Sequence, residues 1–176
     1  MTARQTITFI FGFVFCFLVR LLPFRPPNVE TVMATQMPFA KQWGAGAGFL
    51  FGFASIALFD AILGRIGWWT LITAVAYGLV GVFGSRYFRR KRGVVHYALF
   101  ATVATVFYDA VTGLTIGPLL FGQPFLAAVL GQIPFTLYHL AGNVGFAVTL
   151  SPLIERFITT PSRLDIPILT TKHCVV

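Results

Sequence analysis

The chain alternates long apolar stretches with short polar breaks. Residues 6–24, "TITFIFGFVFCFLVRLLPF", form the first stretch. It matches the roughly 20 residues of a membrane helix. No A-x-A-like cleavage site follows it, which sets it apart from a signal peptide. "RPPN" ends it, because two successive prolines do not continue a helix. Residues 28–42, "NVETVMATQMPFAKQ", predict a short second helix, shielded by neighbours or broken near Pro38. Residues 44–63 and 67–84 predict the third and fourth helices, with Trp68 and Trp69 as interface anchors. Residues 94–114 predict the fifth. Residues 115–131, interrupted by Pro118, Gly122 and Pro124, predict a structured loop partly buried at the membrane face. The sixth helix covers 132–158, and a polar tail runs from 159 to 176.

Composition agrees with that pattern. Of 176 residues, 57% are hydrophobic and 10% charged, where a soluble domain carries about 25% charged residues. The mean hydropathy is +0.82. These values and that pattern predict one all-α, multi-pass integral membrane domain of six transmembrane helices over 1–158. The net charge of +8 does not point to nucleic acid, since five of the thirteen basic residues sit in "SRYFRRKRG" (Arg86, Arg89, Arg90, Lys91, Arg92). A basic run between apolar segments reads as a cytoplasmic loop, with anionic lipid as a weak contact. Six helices put both termini on the side of that loop. The inner segments then hold ten basic residues and the outer ones only Arg20, Arg25 and Arg65, so both termini are expected in the cytoplasm. Cys16 and Cys174 have no metal-ligand spacing.

This topology collects polar residues in the outer half of the bilayer. Asp60 ends the third helix, Asp109 lies late in the fifth, His139 and Asn143 lie early in the sixth, and Asn28 and Glu30 open the second. Thr102, Thr105, Asp109 and Thr112 share one helix face by their spacing, as do Thr136, His139 and Asn143. A carboxylate at bilayer depth costs at least about 2.5 kcal/mol and usually faces a bundle interior or a wet cavity. The convergence predicts a polar cavity open to the outside. The plainer readings are carboxylates at headgroup level, an interhelical hydrogen bond from His139, and threonines bonded to the preceding turn, the reading preferred for Thr102. Gly44, Gly48 and Gly52 form a small-xxx-small stripe, for contact with another subunit or for packing inside the bundle.

No phosphate loop, H-E-x-x-H or G-x-S-x-G pattern occurs, and no cofactor, metal site or enzyme activity is expected. Other functional readings stay open. One is an autonomous small-solute transporter or channel. Another is a membrane enzyme using Asp60, Asp109 and His139 as acid–base groups or metal ligands. The last is a purely structural subunit.

"PPNVETVMATQMPFAKQWGAGAGFLFGFASIALFDAI", "WWTLITAVAYGLVGVFG", "FYDAVTG" and "YHLAGNVGF" together resemble the substrate-binding S components of energy-coupling factor (ECF) transporters, over residues 5–158. Features of the likeness are Pro27 with Asn28, Gly44 to Gly52, and the acidic Asp60. The resemblance implies high-affinity capture of a vitamin or similar small organic micronutrient from outside. It implies association with a coupling membrane subunit and two ABC ATPases, and toppling within the membrane for release. It also implies a pocket roofed by residues 25–30 and 115–132. Substrate contacts are then expected at Asn28, Glu30, Asp60, Tyr108, Asp109, His139 and Asn143, with Tyr108 and Tyr138 stacking on a ring or donating hydroxyls. Where many family members carry A-x-x-x-A on helix one to meet the coupling subunit, this chain has Gly12-x-x-x-Cys16. The Gly44, Gly48 and Gly52 face is the alternative interface.

Overall fold

The computed structural model describes residues 3–22, 24 and 29–159. These form five α-helices: α1 (Ala3–Leu21), α2 (Val32–Ile62), α3 (Trp68–Tyr87), α4 (Val94–Phe121) and α5 (Phe125–Thr159). Helices α2 to α5 are long and apolar enough to cross a membrane, and α1 is a shorter apolar helix. At 1.5 Å per residue, the 20 residues of α3 span about 30 Å, a bilayer's hydrocarbon thickness. Large apolar side chains such as Ile7, Phe11, Val103 and Leu137 face outward, while Gln36, Asp109, His139 and Asn143 are buried. That is the distribution of a membrane protein.

Helix α2 is not straight. Gly44 adopts φ 87° and ψ −173°, a positive φ that glycine takes at little cost. Residues sixteen apart in a straight helix lie about 24 Å apart. Yet a Cβ on Gly52 would collide with Nε2 of Gln36, and one on Gly48 would lie 2.7 Å from Cβ of Ala40. Gln36 also donates to the Gly48 carbonyl at 2.8 Å, and the Phe39 and Phe51 rings are 5.2 Å apart. The chain therefore reverses at Gly44. The expected second and third helices are two legs, residues 32–43 and 45–62, of one element. Counted as elements, the described residues hold five helices where six were expected.

The first leg is the centre of the molecule, and every residue from Val32 to Ala40 is buried. It is apolar or small nearly all round, as a fully enclosed helix must be. Its polar exceptions are answered in part by neighbours, Gln36 Oε1 being left without a partner among the described residues. Gln36 donates to the Tyr77 carbonyl of α3 at 2.8 Å. Thr35 donates back to Thr31 at 3.0 Å. Pro38 has no N–H, so the carbonyl four residues earlier loses its helical donor. That carbonyl belongs to Ala34, and Ser151 of α5 donates to it at 2.7 Å.

Two boundaries differ from the sequence expectation. The second helix begins at Val32 rather than at 28. The "RPPN" stretch, with Asn28, lies outside the described residues, as does the tail from 160. Residues 115–131 are not a loop. Helix α4 continues through Pro118 to Phe121, and α5 starts at Phe125. The break is confined to Gly122, in the left-handed region at φ 63°, and the residues up to Pro124. The N–H of Gln123 closes α4 on the Gly117 carbonyl at 3.1 Å. A left-handed glycine followed by proline is a helix stop, so Gly122 and Pro124 break the chain as expected, whereas Pro118 lies inside α4 and does not.

The Gly44 reversal, the α3–α4 connection and the last turns of α5 share one end of the bundle, where Lys41 meets Glu155 at 2.5 Å. Arg86, Arg89, Arg90, Lys91 and Arg92 are exposed there, and we call it the basic end. The α2–α3 and α4–α5 connections lie at the far end.

Candidate functional site

Helices α4 and α5 run antiparallel and meet along a polar seam. Asp109 Oδ1 and His139 Nδ1 are 2.7 Å apart. One turn towards the basic end, Asn143 Nδ2 donates to Thr105 Oγ1 at 2.9 Å. Four residues back along α4 match four residues forward along α5, so the two pairs are rungs of one register. Thr112 is also buried, and Thr136 is half-buried, accepting from Gln132 at 3.3 Å. Thr102 leaves the face the spacing gave it: it is exposed and donates to Ala98 at 2.9 Å.

The lower rung touches the tip of the central leg, where Thr105 Oγ1 lies 3.7 Å from Met33 Sδ. Asp109 therefore sits one turn beyond the point where the central helix begins. Aromatic rings surround it. Tyr108 is T-shaped to His139 at 5.7 Å, Phe135 flanks the same imidazole at 5.9 Å, and Tyr77 of α3 packs on Tyr108 at 4.4 Å. Side chains on a helix lean towards its N-terminus, which carries the Tyr77 ring outward from the Gln36 contact.

The remaining expected residues are placed as follows. Glu30 pairs with Arg20 at 3.4 Å. Arg20 also donates to the Ser55 carbonyl at 3.2 Å, with its guanidinium 4.0 Å above the Phe59 ring. Asp60 accepts from Thr70 Oγ1 at 2.6 Å. It ties the end of α2 to the first turn of α3, where a carboxylate suits the helix dipole. Asp60 thus stands at the rim rather than in the Asp109–His139 seam. Tyr138 is 63% exposed and faces away from the cluster, so its expected stacking role is not met. Gly48 and Gly52 are buried against α3: a Cβ on Gly48 would lie 2.7 Å from the Gly81 carbonyl oxygen, and one on Gly52 would lie 2.5 Å from that of Tyr77. The stripe packs inside the bundle, which leaves neither glycine on an outer face, and Gly44 forms the reversal.

Sequence reasoning missed Arg20 and Tyr77. A lone arginine near the end of the first apolar helix was counted only for topology. Tyr77 lies far from the ends of its helix, where an interfacial role fails, and that position was the available signal.

Several polar atoms here are buried with no hydrogen-bond partner among the described residues. They include Asp109 Oδ2, Asn143 Oδ1, Tyr77 Oη, Ser55 Oγ and Arg20 Nε. Leaving such an atom unanswered costs about 1–3 kcal/mol. The described residues contain no group of three or more His, Cys, Asp and Glu side chains placed to hold a metal ion. In the neutral tautomer that donates Nδ1–H to Asp109, the other imidazole nitrogen of His139 is an acceptor. The arrangement sets unanswered polar atoms beside aromatic rings. No family model, curated protein or solved structure matches the chain.

Proposed function

We propose that this chain is the solute-capturing membrane subunit of an ECF-type uptake system. α1, the two legs of α2, and α3 to α5 make six passes, with both termini and the basic end in the cytoplasm. The solute is a small vitamin-like organic molecule that arrives at the far end. The observation that carries this reading is the set of buried, unanswered polar atoms around Asp109, Asn143 and Tyr77.

The shape of the central leg supports it. Residues 32–43 span about 18 Å at 1.5 Å per residue, short of the roughly 30 Å hydrocarbon core. The leg is anchored at the basic end through Lys41, so the shortfall lies at the far end, next to Asp109. Ligand sites set a few well-placed polar groups among apolar and aromatic side chains, and that is the composition around Asp109. A self-sufficient channel is less well supported, because the leg fills the centre and Lys41, Glu155, Phe88 and Tyr97 close its inner end. For the coupling subunit we assign the apolar groove of about 340 Å³ between α1 and α5, lined by Gly12, Phe11, Phe15 and Leu153. Two ABC ATPases would supply the energy.

The test is purification in mild detergent and mass spectrometry of co-purified small molecules. A stoichiometric organic compound, lost in Asp109→Ala, is the expected result. An empty protein that by itself moves solutes across vesicles would overturn it.

A further inference from the structure

The whole chain has five acidic residues and a net charge of +8. Three of the five, Glu30, Asp60 and Asp109, lie in the half of the bundle away from the basic end. Among the described residues two guanidiniums lie there with them: Arg65, in the connection that follows Asp60, and Arg20. The Arg20 guanidinium is already engaged by Glu30, by the Ser55 carbonyl and by the Phe59 face. Asp60 and Arg65 stand at the rim, so the carboxylate at the centre is that of Asp109, with the imidazole of His139 beside it.

The unanswered atoms between α4 and α5 are acceptors. Asp109 Oδ2 and Asn143 Oδ1 accept and do not donate, and both side chains are almost wholly buried, at 1% and 0% exposure. The Tyr77 and Ser55 hydroxyls can turn either way, and Arg20 Nε, an unanswered donor, lies apart from the seam on the guanidinium that pairs with Glu30. A carboxylate or phosphate placed here would meet a carboxylate oxygen in a low-dielectric setting, which is strongly repulsive. A ring bearing N–H donors and positive charge would answer Asp109 and Asn143. It would also lie against the faces of Tyr108 and Tyr77, where cations are attracted.

We infer that the captured solute is a cationic aromatic amine or amidine-like ring. This rests on the capture reading above. The discriminating feature is charge: the unanswered carboxylate oxygen of Asp109 selects cations and rejects anions of the same size.

Binding of purified protein to two sets of compounds tests it. Thiamine, pyridoxamine and benzamidine are the cationic probes; biotin, nicotinate and pantothenate are the anionic ones. Calorimetry and thermal shift give the readout, beside mass spectrometry of any co-purified molecule. Binding confined to cations, weakened on the order of tenfold or more in Asp109→Asn, is expected. That variant keeps the side-chain volume; Glu30→Gln provides a second, peripheral change that should weaken the same cations. Binding of an anion, or a co-purified neutral or anionic compound, would overturn the cation assignment and leave the capture reading standing. Cation binding unchanged in both variants would overturn the site. If no probe binds and nothing co-purifies, both readings fall.

Discussion

Each end of the bundle holds an acid–base pair, half-buried at the basic end and buried at the far end, and the two ends treat it differently. At the basic end Glu155 uses both oxygens: Lys41 takes one at 2.5 Å, and the Tyr97 hydroxyl donates to the other at 2.8 Å. The Lys41 ammonium lies 5.8 and 5.6 Å from the Phe88 and Tyr97 rings. At the far end Asp109 gives one oxygen to His139 and leaves the other with no partner among the described residues. The first arrangement resembles the answered polar networks that fix a unique packing. The second keeps a costly vacancy where an apolar pair would have been cheaper. Polar burial by itself thus says little about function; the difference between the ends is that one pair is fully answered and the other is not, and the capture proposal rests on that difference.

That contrast can be tested by substitution. The largest loss is expected for Gly48→Leu, which forces a side chain into the Gly81 backbone and should cost at least about 3 kcal/mol, the top of the overpacking range. Thermal unfolding in detergent would record it. Lys41→Ala leaves Glu155 without its cation. The paired side chains are 13% and 26% exposed, so solvent tempers the loss to about 2 kcal/mol. Tyr77→Phe deletes a hydroxyl that has no partner, so stability should change by less than about 1 kcal/mol while affinity for the co-purified solute falls. Should Tyr77→Phe destabilise as much as Lys41→Ala, the distinction between the ends would collapse. Thr102→Val, on the outer face of α4, should leave both stability and binding within about 0.5 kcal/mol of the parent.

Legibility in the sequence followed the range of each signal. Asp109, Thr112, His139 and Asn143 could be assigned to one face because helical spacing is local. Their pairing into rungs needed the α4–α5 register, which no single helix encodes. The glycine stripe announced close approach without naming the partner, since a missing Cβ is equally useful inside and outside a bundle. Its partner proved to be α3, through Gly81 and Tyr77. The break after residue 42 was readable from composition, but the reversal at Gly44 is a backbone angle that a glycine permits and does not dictate. Pro118 was overweighted as a breaker, since α4 runs through it. Within packed apolar helices, neighbouring groups can absorb a missing donor, as Ser151 does for Ala34.

That last hydrogen bond has a bearing on biogenesis. The serine that answers the Ala34 carbonyl is made 117 residues after it. Until α5 is synthesised and inserted, the central leg carries an open carbonyl and a glutamine in a segment too short to span lipid alone. The leg is therefore expected to wait at the membrane as half of an unfinished hairpin and to settle last. Truncation before Ser151 should leave a nascent chain recognisable to quality-control proteases, although four of the five helices are already complete.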